Sequence, residues 1–542
     1  MSDSQQTSTA SNYKTKHKLG EHNIRLAGLD VHNPVFLVSG IGVVLFVFVT
    51  LLFPDQAADY FQSLRPIVTS RFDWVFMGAA NLFVLLSIFL VLTPYGGIRL
   101  GGADTKPKYS FVSWVSMLFA AGIGIGIMFY AVLEPMNHFA FISGYTGSTA
   151  TDAALSMDLG SGEAAQRLAM AATLYHWAFH PWAIYAMVGL GLAFFCYNKK
   201  LPLVIRSAFY PLLGERIWGW PGHIIDIFAV FATLFGLATS LGFGAEQAGG
   251  GINYVYSAPT GDLTNLLVVG IITVMALISV MRGLDGGIKR LSELNMILAA
   301  LLGLFVLAIG PTGTILADIF KNFWAYLSYL IPLSFWGERE DLGYMHGWTT
   351  FYWSWWIAFS PFVGMFIARI SIGRTVREFI LGCLLAPSAI FICWMTVFGT
   401  FSMEQYLVDG YTGVMDTVKD WQPELSLFKF LDQLPLTAVT STIGIILVLV
   451  FFTTSMDSGS LILDTMTAGG KTETPRVQRV FWCIFLGLLG VALLLGGGLA
   501  SLQALSLTMG LPFCIIIVLM CASTLVGLHS ELYGSQVGHN TD

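Results

Sequence analysis

Apolar residues along this chain gather into twelve stretches with polar connections between them. They cover about 35–53, 74–93, 111–133, 171–196, 224–245, 263–281, 296–317, 349–368, 379–400, 436–456, 480–499 and 506–527. A membrane-spanning helix needs about 20 such residues. The pattern therefore predicts an all-α chain that crosses a bilayer twelve times, with both ends on one side. Charged residues stay away from the middle of these spans: Asp226, Glu246, Arg369 and Asp457 all fall toward ends. A carboxylate proton relay would need one inside.

Composition agrees. Only 11% of the 542 residues are charged and 55% are hydrophobic, whereas a soluble domain carries about 25% charged residues. A soluble multidomain protein and a nucleic-acid binder are excluded on this ground. Basic residues fix the orientation. Most of the 27 Lys and Arg lie in the N-terminal tail and in the connections 99–108, 199–216, 282–290, 369–377 and 471–479. By the positive-inside rule that face is cytoplasmic. The long connections 134–170, 319–348 and 401–435 are acidic and fall on the opposite face. The first apolar run begins only near Val35, after a polar tail; that tail is expected to be disordered to about residue 20 and is no cleavable signal. Six cysteines sit in or beside apolar segments at no metal-binding spacing, and read as reduced thiols.

Tryptophan in membrane proteins gathers at the headgroup level, yet two apolar segments here place it near mid-span. One reads His176-Trp177-Ala178-Phe179-His180-Pro181-Trp182-Ala183-Ile184-Tyr185 and the other Phe351-Tyr352-Trp353-Ser354-Trp355-Trp356. Trp182 and Tyr185 share a helix face, Pro181 is placed to bend the helix, and Trp353, Trp356 and Phe359 form one stripe while Trp355 points elsewhere. Indole faces hold cations that cannot donate a hydrogen bond, such as quaternary ammonium; ordinary aromatic core is the alternative. A third segment, Ala121-Gly122-Ile123-Gly124-Ile125-Gly126, weakens its helix by about 1 kcal/mol per glycine. That suits either close helix packing or backbone opened toward a ligand. Consecutive hydroxyls at Thr453-Thr454-Ser455 suit a hard cation or bond back to their own helix. The pair His176 and His180 has i, i+4 spacing but lacks the glutamate of a zinc hydrolase, so structural histidines are the better reading, with a proton-handling role as the rival. An enzyme would need clustered catalytic groups in one leaflet, which the sequence does not offer; a channel is the other alternative class.

The glycine run, Trp177…Pro181-Trp182…Tyr185, Trp353-Ser354-Trp355-Trp356 and the loop Ala368-Arg369-Ile370-Ser371…Gly373-Arg374…Arg377-Glu378 closely resemble the betaine/choline/carnitine transporter family, over about residues 34–525. The resemblance implies a LeuT-like core of two inverted five-helix repeats preceded by two extra helices. It divides the chain into a cytoplasmic tail 1–33, peripheral helices 34–110, repeats 111–318 and 349–527 flanking an external loop 319–348, and a short tail 528–542. It implies a homotrimer in the bacterial inner membrane, with no cofactor beyond a coupling ion, sodium or alternatively a proton. The implied substrate is a quaternary-ammonium or sulfonium zwitterion, glycine betaine foremost, with choline and dimethylsulfoniopropionate as alternatives. The implied substrate site is Trp177, Trp182, Tyr185 and Trp356 with Phe129, and the backbone of Gly122, Gly124 and Gly126; Trp353, Trp355 and Phe359 would line the pathway. Choline carriers of the family tend to have aspartate at position 126, so Gly126 favours a zwitterion. Ala120, Ile123, Phe451, Thr454 and Ser455 stand at one sodium site. Thr233 and Phe362 stand at a second, but Leu237 replaces a threonine there. The tail after about Leu528 lacks the long basic helix of osmotically gated members.

Overall fold

The structure, a computed structural model, describes residues 13, 15–26, 28–122, 126–143, 162–259, 261–282, 288–337 and 339–534. A short hairpin of β1 (Asn23–Leu26) and β2 (Leu29–His32) precedes the helices. The first long helices are α1 (Val35–Leu52), α2 (Pro54–Leu92), α3 (Phe111–Gly122), α4 (Gly126–Ile142), α5 (Glu163–Trp177) and α6 (Phe179–Tyr197). Then come α7 (Trp220–Tyr256), α8 (Asp262–Arg282), α9 (Ile288–Ile309) and α10 (Thr312–Ser334). The last five are α11 (Thr350–Ile370), α12 (Val376–Leu407), α13 (Thr437–Thr467), α14 (Arg476–Leu495) and α15 (Gly498–Tyr533). Among the described residues, eleven helices are long and apolar enough to cross a membrane. The remaining expected span, 111–133, is divided between α3 and α4, neither of which has that length alone.

Burial separates an inner set of helices from an outer one. The most apolar windows of α5–α6 and of α11 are each 89% buried within the protein, against 33% for α8 and 17% for α9. The two tryptophan-bearing segments are thus innermost, and the outer helices turn Leu, Ile and Val toward lipid. α6 and α11 cross closely because both are glycine at the crossing. A Cβ on Gly364 would meet the Val188 side chain at 2.6 Å, and one on Gly189 would meet the Gly364 carbonyl at 3.2 Å. Small residues are how membrane helices bring their backbones together.

Three sequence expectations change. The tail is ordered earlier than expected: Tyr13 stacks on Tyr210 at 4.7 Å and His17 on Trp218 at 4.0 Å. The connection 319–348 is largely helix, because Pro311 ends the ninth helix and α10 starts at Thr312. Glu134, expected just past the span 111–133 in an acidic connection, instead sits in the middle of α4 and is wholly buried. Pro135 follows it and signals a helix end, but α4 runs on through Pro135 to Ile142.

The connections group by face as their charges require. On one face Lys199 pairs with Glu531 at 2.5 Å and Lys471 with Asp30 at 2.7 Å, so both ends of the described chain meet there. On the other, Arg167 pairs with Asp318 at 2.7 Å and Arg339 with Asp341 at 2.5 Å.

Candidate functional site

The α5–α6 segment is not one helix. Ala178 takes φ −96° and ψ −117° and breaks it between Trp177 and Phe179. Pro181 falls in the first turn of α6, where its missing N–H has no partner to lose. Trp177 meets Trp356 of α11 and Phe391 of α12, and the break separates His176 from His180. His180 Nε2 meets Asn81 Oδ1 at 3.0 Å, whereas His176 turns to α4 and α11.

Four rings then meet edge to face between α5, α6 and α11. Trp177 and Trp356 lie 5.1 Å apart at 89°, Tyr185 and Trp356 5.6 Å at 81°, and Trp182 and Tyr185 5.6 Å at 81°. None is more than 6% exposed. The Trp356 indole donates to the His176 carbonyl at 3.1 Å, fixing its plane. The Tyr185 hydroxyl is buried with no partner among the described residues. Phe391 of α12, which sequence reasoning missed, stacks on Trp177 at 5.2 Å; a phenylalanine in an apolar span gives no signal of its own.

Other expected residues are placed less simply. Trp355 stacks on Trp356 at 5.6 Å instead of pointing elsewhere, and its indole donates to Ser240. Trp353 leaves the stripe: it packs on Tyr175 and His180 and donates to the Met77 sulfur at 3.2 Å. Phe359 packs on Phe362 at 5.1 Å. Phe129 faces Phe243, and Tyr130 is the α4 ring beside Trp177, at 5.9 Å. Phe129 and Tyr130, with Phe243, Trp348, Phe351 and Trp421, line a cavity of about 350 Å³ that also holds Arg65 and Gln503. It lies on the side of the acidic connections.

Gly126 opens α4 directly against the Trp177 ring. A Cβ there would lie 1.8 Å from the ring edge. Glycine is therefore required at 126 by packing alone, apart from any preference for substrate charge. Gly122 ends α3; Gly124 and Ile123 lie outside the described residues, as does the Ala120 side chain. Of the remaining sodium-site residues, Phe451, Thr454 and Ser455 occupy adjoining turns of α13, and the Thr454 hydroxyl donates to the Phe451 carbonyl at 2.9 Å. At the second site the Thr233 hydroxyl is turned to the Ala229 carbonyl. Leu237 fills the notch at Gly459, where a Cβ would meet its Cδ1 at 2.4 Å.

The main residue that sequence reasoning missed is Glu134. Its Oε1 accepts from His176 Nδ1 at 2.7 Å and His138 Nε2 at 3.1 Å; its Oε2 accepts from Trp177 Nε1 at 2.7 Å and the Tyr352 hydroxyl at 2.5 Å. Ligand atoms of Glu134, His138 and His176 lie within 4.8 Å of one another. A carboxylate has about four acceptor positions, and all four are met by these donors.

A family model described as betaine/carnitine/choline family transporter matches residues 34–532. A glycine betaine/proline/choline transporter of Vibrio parahaemolyticus is 51% identical over 525 residues, covering 95% of this chain and 94% of that one. A second transporter from the same organism, for glycine betaine, is 47% identical, covering 95% and 97%. The glycine betaine transporter of Bacillus subtilis is 40% identical over 481 residues, covering 88% and 91%.

Proposed function

The chain belongs to the betaine/carnitine/choline family of transporters, and from that premise we propose that it imports glycine betaine, driven by sodium. It is a multi-pass membrane transporter of quaternary-ammonium osmolytes and no enzyme. The observation that carries the finer reading is the four-ring cage. Four aromatic rings converge on one buried place between α5, α6 and α11, and each ring face turned to a cation is worth about 0.5–2 kcal/mol. Three or four faces supply about 1.5–8 kcal/mol before the costs of desolvation and ordering, so a micromolar Kd, about −8 kcal/mol, also draws on the donors that meet the carboxylate. The Tyr185 hydroxyl and the backbone around Gly122, Gly124 and Gly126 are the donors assigned to the carboxylate. Tyr130 and Phe243 are shared between the cavity and the cage surroundings, so the cavity is the approach from outside.

The sodium ion is assigned to Thr454, Ser455 and the carbonyls of Ala120, Ile123 and Phe451. Leu237 offers no oxygen to a second ion. A neutral zwitterion moving with one sodium carries one charge, worth about 2.3 kcal/mol at 100 mV, or nearly two decades of accumulation before the sodium gradient is added. The face bearing both ends is assigned to the cytoplasm on its basic loops. A homotrimer is the assembly that the family resemblance implies, and α10 leaves an apolar stripe of Phe320, Trp324 and Ile331 exposed to lipid or to a partner copy. The cage is tested by Trp356→Leu in proteoliposomes: betaine binding is expected to weaken at least tenfold, and unchanged uptake would remove the cage from the account.

A further inference from the structure

Glu134 is a buried carboxylate that the transport reading above does not use. Taking a charge out of water costs several kcal/mol unless its hydrogen bonds are replaced. Here four donors replace them, and each comes from a residue near the cage or packed on it. His138 belongs to the helix of Glu134 itself, His176 and Trp177 to α5, and Tyr352 to α11. His176 is held in turn by Thr349 through Nε2 at 3.0 Å and stacks on Tyr352 at 4.6 Å and 6°. His176 then donates from Nδ1 and accepts at Nε2, and His138 donates from Nε2 while its Nδ1 has no partner among the described residues.

We propose that Glu134 is a positioning residue for substrate binding, which fixes the Trp177 wall of the cage and makes its face more attractive to a cation. This rests on the cage reading. The reason is geometric first. Trp177 is the last residue of α5, directly before the break at Ala178, so no turn of its own helix continues past its ring. The Glu134 bond to its indole, together with Gly126 beneath the ring, leaves it one orientation. The second reason is electrostatic. An indole N–H that donates to a carboxylate pushes electron density back into the ring, and a charge-assisted bond of this kind is about twice as strong as a neutral one. A net negative charge thus acts on the ammonium group through the ring without competing with the substrate's own carboxylate for space in the cage. Glutamine at this position has one acceptor oxygen, and its amide would point hydrogens at two donors.

The test is a double-mutant cycle on the full chain in proteoliposomes, read as KM and maximal rate of glycine betaine uptake. Glu134→Gln is expected to raise KM about ten- to a hundredfold, the range for losing a bond to a charged group, with maximal rate changed less than threefold. In the Trp177→Phe background, which has no indole N–H, the same change is expected to raise KM less than threefold. An equal rise in both backgrounds, or none in the wild-type background, overturns the proposal. If Trp177→Phe and Trp356→Leu both leave KM at the wild-type value, the cage reading itself fails, a different result from failure of the coupling. Should Glu134→Gln not reach the membrane, Glu134→Asp keeps the charge and shortens the reach by one methylene. It carries the same comparison, and equal effects in the two backgrounds overturn the proposal again.

Discussion

Gly126 and Leu237 show how much one residue decides here. A methyl group at 126 would overlap the Trp177 ring, and overpacking of this kind costs typically about 1–3 kcal/mol. Gly126→Ala is expected to raise the KM for glycine betaine about tenfold, and Gly126→Asp to abolish uptake without creating choline transport. Choline uptake by Gly126→Asp would show that the ring moves aside. Leu237 fills a notch at Gly459, at the position where the proposed second sodium site would need an oxygen. Leu237→Thr removes the plug, and the sodium dependence of uptake is expected to steepen from a Hill coefficient near one; an unchanged coefficient would mean that the second site lacks more than this oxygen. The cage rings were legible in the sequence because tryptophans in the middle of an apolar span are conspicuous. Glu134 was not, because Glu134-Pro135 at the end of an apolar run reads as a helix stop leading into an acidic loop. Only the donors from α5 and α11 show why a charge is tolerated there.

At the scale of elements, breaks and additions matter more than spans. The Ala178 break was visible only as a nearby proline. α10 was hidden because Asp318, Lys321 and Asn322 interrupt its apolar stripe, and an amphipathic helix lying along a membrane protein has no span-like run. The segment before α1 was also misread, for its stability comes from tertiary contacts. Asn23 bonds the Ala468 carbonyl, Arg206 donates to His32 at 3.1 Å, and His17 stacks on Trp218. Burial, then Arg206 and His22, lower the His17 pKa from 6.5 to about 4, with Glu21 and Glu215 pulling the other way. Burial, then Arg206, His223, His22 and His17, lower that of His32 to about 2. A histidine whose pKa is depressed in the docked state stabilises docking fully above 6.5, and that contribution is lost as pH falls below it. Hydrogen exchange of residues 15–33, taken relative to the intrinsic amide rate at each pH, is therefore expected to be flat from pH 8 to 6.5 and to rise progressively toward pH 4. His17→Asn with His32→Asn is expected to flatten that profile; an acid-induced rise that survives the substitutions would place the switch elsewhere.

For the whole molecule, the apolar pattern was enough to show a polytopic helical protein, and the basic connections were enough to group its loops by face. Charge and length act over whole segments, so a few misplaced ends do not disturb them. The arrangement of helices around the cage was not legible, because close crossings such as Gly189 against Gly364 depend on residues distant in sequence. What the assembled molecule is proposed to do is couple a zwitterion to sodium through a buried aromatic cage. The most direct measurement is uptake of labelled glycine betaine into proteoliposomes at fixed pH and voltage, with an inward sodium gradient or with potassium in its place. The account predicts accumulation above the external concentration with sodium and only background with potassium. Equal uptake in the two buffers, or none in either, would contradict it.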